Sequence, residues 1–92
     1  MDTLNQEQIE AALGELGEWG FQGEALTRTF RFADFVHAIS FVEHLAEVAE
    51  ETQHHPDIDI RNNKVTLHLS THSAGGVTAR DVDLAEAIGH LV

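Results

Sequence analysis

The sequence predicts an α+β domain in which helices pack on one face of an antiparallel sheet. Three observations carry that reading. The elements run in the order helix, strands, long helix, hairpin, helix. Two alternating patterns, Asp57–Arg61 and Val65–Ser70, flank Asn62-Asn63, which is turn chemistry for a tight hairpin. One apolar stripe, Phe35, Ile39, Val42, Leu45 and Ala49, steps by helical intervals of 4, 3, 3 and 4.

Taken in order, Thr3 with Gln6 matches capping-box spacing. Ile9, Ala12, Leu13 and Leu16 then recur at helical spacing, giving a first helix over about residues 5 to 16. Gly17 and Gly20 punctuate its end. Trp19 and Phe21 alternate around Gly20 as a short extended piece, and Gln22-Gly23-Glu24 makes a turn. Leu26, Phe30 and Phe32 alternate with Thr27, Thr29 and Arg31, which predicts a strand from about 25 to 32. Arg28 interrupts its apolar face, so this strand is expected at an edge or with one wet face. Asp34 is positioned to cap the long helix. Phe41 and Val48 lie off its apolar stripe and are candidates for a subunit contact. The helix must end by about Gln53, because His55 precedes Pro56 and is pushed to extended geometry. After the hairpin, Ser73–Gly76 is a loop. Thr78 with Asp81 forms a second capping box, opening a helix through Leu84, Ala87, Ile88 and Leu91.

The 92 residues fit one domain spanning 1–92. A chain this short buries only roughly 60–65% of its unfolded surface, so self-association is a natural source of further burial. There is no cysteine, which removes disulfides and thiolate metal sites and permits a reducing, cytoplasmic setting. Five basic residues against sixteen acidic ones give a net charge of −11, and Lys64 is the only lysine. The lysine shortage fits a high-salt host or a biased composition equally. Such charge opposes phosphate backbones and anionic membranes, so nucleic acid and membrane are not expected partners. No apolar run approaches the roughly 20 residues that span a bilayer. The acidic, amphipathic start Met1-Asp2-Thr3-Leu4 is unlike a signal peptide.

Chemistry concentrates in the histidines. His54 and His55 lie where the long helix ends and a strand begins. His72 follows the strand that pairs with the 57–61 segment, and hairpin pairing returns it toward His54 and His55. An ordinary imidazole titrates near about 6.5, so acid and base forms are both on hand near neutral pH. Spacing alone leaves three readings open: surface or capping histidines, a three-histidine metal site, or an acid–base site. Adjacent residues in an extended chain point to opposite faces, which counts against one ion shared by His54 and His55. His37, His44, His68 and His90 are expected to face solvent. Ser70 and Thr71 could orient His72 or bind a ligand. Asp81 reads more as a cap than as a catalytic group. No serine or cysteine nucleophile motif, phosphate loop or paired-carboxylate signature stands out.

A run of residues then resembles one family. Glu50, His54-His55-Pro56, His72 and Asp81 stand at the spacing of the pterin-4a-carbinolamine dehydratase signature. Trp19, Arg28-Thr29-Phe30-Arg31-Phe32, Asp34-Phe35, Asn63-Lys64-Val65, Leu69-Ser70-Thr71-His72 and Gly76-Val77-Thr78 agree with it over nearly the whole chain. Where the family carries an aromatic residue, this chain has Asn62, so an aromatic wall for the pterin is expected to be missing there. The resemblance implies a four-stranded antiparallel sheet with helices on one side, assembled as homodimers or homotetramers. It implies dehydration of a 4a-hydroxytetrahydropterin to the quinonoid dihydropterin, with no metal or other cofactor. Carried over, the catalytic and pterin-binding positions are His54, His55 and His72; from the residues themselves, Ser70 and Thr71 are the substrate-binding candidates beside them and Thr78 with Asp81 is the structural cap. The alternative is a non-catalytic interaction or assembly module of the same fold, since relatives of the family include a dimerisation partner of a transcription factor and an assembly factor for a carbon-fixing enzyme.

Overall fold

The computed structural model describes residues 2–92. Met1, the first residue of the amphipathic start, lies outside them. Three helices and four strands follow in the order α1 (Gln6–Leu16), β1 (Gly20–Gln22), β2 (Ala25–Arg31), α2 (Phe35–Thr52), β3 (Asp57–Arg61), β4 (Lys64–Leu69) and α3 (Ala79–Gly89). The strands form one antiparallel sheet in the order β1-β2-β4-β3.

Local chemistry starts and stops these elements. The first cap is Asn5 rather than Thr3. The Asn5 side chain accepts from the Gln8 backbone N–H at 2.9 Å, and Gln8 accepts from the Asn5 N–H at 2.9 Å. The reciprocal pairing is that of a capping box, and asparagine caps at least as well as threonine. Asp34 caps α2 by accepting from the His37 backbone N–H and from His37 Nδ1. The backbone N–H bond, and secondarily the side-chain bond, hold its carboxyl below the usual carboxylate range. Thr78 and Asp81 cap α3 as the sequence predicts.

The sheet has one dry face and one wet face. Leu26, Phe30, Val65, Leu67 and Leu69 point toward the helices and are buried. Thr29 and Thr66 meet on the opposite face, their hydroxyls 2.9 Å apart. β2 is not an edge strand: it lies between β1 and β4. The wet face it was expected to have belongs to its threonines, while Arg28 shares the helix-covered side with Leu26 and Phe30.

The buried stripe of α2 is also turned from its expected position. Ala38, Phe41, Leu45 and Ala49 are buried, whereas Phe35 is 51% exposed. Phe41 is a core residue and not a free subunit contact. Aromatic partners on the chain beneath explain the rotation. The Phe41 ring centroid lies 4.8 Å from that of Phe30 and 5.1 Å from that of Phe32. Offset aromatic contacts of this kind favour burying Phe41, and the helix turns accordingly. Val48 packs against the core from a half-buried position.

β3 closes one edge of the sheet. Ile58 and Ile60 face the helix side opposite Leu67 and Val65, yet remain 39% and 38% exposed. At the far end of the hairpin Asn62 has φ 54°, in the left-handed region. Asparagine tolerates that conformation better than any bulky residue. Asn63 ties the turn to the end of β2. Its Nδ2 donates to the Phe32 carbonyl at 2.8 Å, and its own carbonyl accepts from Phe32 N–H at 2.9 Å. No helix of the described residues is long and apolar enough to cross a membrane.

Candidate active site

The site lies where α2 runs out, β4 ends and α3 begins. α2 terminates at Gln53, which adopts a left-handed conformation at φ 52°, ψ 39°. The His54 N–H then folds back to the Ala49 carbonyl at 3.1 Å. This is the closing bond of a Schellman turn. A non-glycine residue held there costs about 1–2 kcal/mol, so its neighbours must hold it. They do: Gln53 Nε2 donates to the Glu50 carbonyl at 2.6 Å, and the Gln53 carbonyl accepts from Arg80 Nη2 at 2.8 Å. Pro56 stiffens the exit two residues later. His54 is thereby aimed at the start of α3.

There it meets Asp81. His54 Nε2 and Asp81 Oδ1 are 2.5 Å apart, with the His54 side chain 11% exposed and that of Asp81 fully buried. The other carboxylate oxygen, Oδ2, accepts from the Thr71 hydroxyl and the Thr78 backbone N–H, each at 2.8 Å. The Thr71 hydroxyl hydrogen is engaged with Asp81, so the Thr78 hydroxyl, 2.8 Å away, donates to Thr71 and itself accepts from the Arg80 N–H. Every arrow in this network points at the carboxylate. His54 therefore presents Nε2–H to Asp81, which leaves Nδ1 as the nitrogen free to exchange a proton. No buried side-chain polar atom among the described residues lacks a partner.

His55 pairs differently. Its Nε2 lies 2.5 Å from Glu50 Oε2, with side-chain exposures of 58% and 71%. Two adjacent histidines thus hold two carboxylates, one pair buried and rigid, the other wet. His72 is exposed beyond the end of β4, next to buried Thr71, and a Thr71–Gly76 bridge closes the loop behind it. Its side chain makes no hydrogen bond among the described residues. Ser70 is half-buried and also unbonded there. The Thr71 hydroxyl is spent inside the protein on Asp81 and Thr78. His37, His44, His68 and His90 are all exposed, as expected.

A cleft of about 190 Å³ opens beside His54, lined also by Thr52, Arg80, Asp83 and Leu84. It includes neither His55 nor His72. Among the described residues no group of three or more His, Asp or Glu side chains is placed to hold a metal ion. The sequence reading did not find Arg80, which both pins Gln53 and lines the cleft. Its nearest signal was its place between Thr78 and Asp81 in a capping box.

Asn62 stands apart from all of this. Five residues of β3 separate it from the His54 end, about 17 Å at the usual strand rise. Within one chain it cannot wall the cleft beside His54. Asn62→Tyr is expected to lower stability by about 1 kcal/mol, through strain at positive φ. Urea unfolding of the variant checks this.

Comparison with known proteins agrees with the fold and the signature. The family model for pterin 4 alpha carbinolamine dehydratase matches residues 2–91. A Roseiflexus castenholzii protein provisionally named pterin-4-alpha-carbinolamine dehydratase is 51% identical over 89 residues, covering 97% of this chain and 96% of its own. A Nocardia farcinica protein with the same provisional name is 50% identical, covering 98% and 95%. Among solved structures, a transcriptional coactivator/pterin dehydratase from Brucella melitensis superposes with TM-score 0.93 at 35% identity over 98% of both chains. A pterin dehydratase-like RuBisCO assembly factor of the alpha-carboxysome superposes with TM-score 0.69 at 26% identity, covering 80% of this chain and 88% of that one. The α+β chain with its four-stranded antiparallel sheet belongs to the pterin-4a-carbinolamine dehydratase family.

Proposed function

We propose that the protein is a 4a-hydroxytetrahydropterin dehydratase that works by histidine acid–base catalysis. The reaction breaks the C4a–O bond. A proton goes to the departing hydroxyl, which leaves as water, and a proton is removed from a ring nitrogen to give the quinonoid dihydropterin. The two transfers balance, and they call for no metal or cofactor. A positioned acid or base contributes typically about 10²–10⁴-fold.

The observation that carries this reading is the directed network ending on His54. Asp81, fully buried and fed by three donors, fixes the tautomer and orientation of the His54 ring. His54 Nδ1 is then the proton-exchanging atom. His55, loosely held by Glu50 in water, and His72 are assigned the second transfer and contacts to the pterin, with Ser70 beside them. Thr71 acts through Asp81, and Arg80 borders the cleft as a further contact. The test is the rate of dehydration in His54→Ala, His55→Ala and His72→Ala proteins, followed by the ultraviolet change on product formation. Each should be slower than wild type with an unchanged fold, whereas His37→Ala should match wild type. The non-catalytic module finds one supporting observation, the structural likeness to the assembly factor. Retention of Glu50, His54, His55, His72 and Asp81 favours catalysis.

Assembly into a homodimer or homotetramer, and a cytoplasmic location, belong to the same reading. The exposed surfaces that motivate assembly are Ile58 and Ile60 on the β3 edge and Phe35 and Val36 at the start of α2. Sedimentation equilibrium at micromolar protein should give a mass above that of one chain. A higher fraction should assemble as salt screens the net charge of −11. A monomer at every salt concentration would remove this part of the proposal.

A further inference from the structure

A second cleft, of about 380 Å³, opens on the other flank of α3, between α1, α3 and β2. Its floor is Arg28, the charged residue that the sheet places on its helix-covered side. The guanidinium carbon lies 4.2 Å from the Phe30 ring centroid and 6.0 Å from that of Trp19. These aromatic faces fix its plane but accept none of its five N–H donors in plane. Among the described residues Arg28 has no carboxylate at salt-bridge distance and no hydrogen-bond acceptor, none of its nitrogens is buried without a partner, and the residue lines the cleft. An arginine whose stem merely covers the core carries its head out into water. Here the head lies over the Phe30 ring and lines the cleft, while Glu15 and Glu86, which also line it, are exposed and unpaired with it.

The charges select the ligand. One guanidinium and two carboxylates, with His90 of the same lining counted neutral, give 1 − 2 = −1, in a chain of net charge −11 counted the same way. A simple anion meets Arg28 favourably and the rim unfavourably. A zwitterion satisfies both, because it brings a cation for the rim. Leu16, Trp19 and Val82 supply apolar walls. At Gly89 an added Cβ would meet nothing within 4 Å, so that side of the cleft is open.

We propose that this cleft binds a zwitterionic α-amino acid with an apolar side chain. The carboxylate takes the in-plane donors of Arg28, as a planar guanidinium favours. The ammonium lies against Glu15 and Glu86, and the side chain covers Leu16 and Val82. The site is independent of the histidine chemistry on the opposite flank of α3.

Trp19, the only tryptophan, reports occupancy by its fluorescence. The experiment titrates the full chain with L-leucine, with 4-methylpentanoate, which lacks the ammonium, and with 3-methylbutylamine, which lacks the carboxylate. A saturable change is expected with L-leucine below about 10 mM, and binding about tenfold or more weaker for each truncated compound. Arg28→Met should weaken L-leucine binding by about tenfold or more. Gly89→Leu, which fills the open side at a position where glycine is the poorer helix former, should abolish it without lowering the melting temperature. No saturable change with L-leucine, equal binding of 4-methylpentanoate, or undiminished binding by either variant would overturn the proposal.

Discussion

Asp81→Asn is expected to lower kcat for pterin dehydration by about 10²–10⁴-fold while changing KM little. The amide keeps the shape of the carboxylate but not its capacity to accept at both ends. Its oxygen remains with Thr71 and Thr78, which both donate. Its NH₂ group then faces His54 Nε2, 2.5 Å away in the native protein, and that nitrogen must become an acceptor. The neutral imidazole moves its proton to Nδ1, the atom proposed to act on the pterin. Nitrogen NMR of His54 should show the change of tautomer directly. A kcat within twofold of wild type would leave Asp81 as a helix cap and nothing more.

Asp81→Ala should instead be felt in folding. Removing the fully buried carboxylate strips acceptors from His54, the Thr71 hydroxyl and the Thr78 N–H, and the cost is expected at about 3–5 kcal/mol. That is a large part of the 5–15 kcal/mol, roughly, by which domains of this size are stable. The wet pair provides the contrast. Glu50→Ala breaks an equally short contact to His55, yet both side chains are more than half exposed. Its effect on stability should stay within about 0.5 kcal/mol. Urea unfolding of the two variants side by side measures the difference. Similar losses for both would mean that burial is not what gives the Asp81 network its strength.

Much of the fold could be read from local chemistry, because local chemistry sets it. Asn62-Asn63 makes a hairpin wherever it falls between two alternating strands, and Thr78 with Asp81 caps a helix with no help from the rest of the chain. What escaped depends on partners far away in sequence. Nothing near Arg28 says that β1 and β4 will flank its strand. Nothing within α2 says that Phe30 and Phe32 will draw Phe41 inward ahead of Phe35. The Thr3-for-Asn5 error is of another kind, since two capping residues two positions apart both fit the spacing and the better acceptor took the place.

The site divides the same way. The return of β4 toward His54 followed from hairpin pairing, and the structure joins the two ends through Thr71 and Asp81. The His54–Asp81 bond spans 27 residues, so the second oxygen of a capping aspartate gave no local sign of its reach. Arg80 was hidden for the same reason, its carbonyl partner on Gln53 lying an equal distance back along the chain. The family signature included Asp81 without stating why a carboxylate stands there. The geometry supplies a reason: one residue takes the Thr78 N–H at the start of α3 and orients the imidazole at the end of α2.

The rate of 4a-hydroxytetrahydropterin dehydration, with and without protein, tests the central claim most directly. The wild-type chain should accelerate loss of the 4a-hydroxyl over buffer at neutral pH, and His54→Ala should lose most of that acceleration while keeping its melting temperature. No acceleration by the wild-type protein with any of several pterins would contradict the account and leave the interaction module in its place.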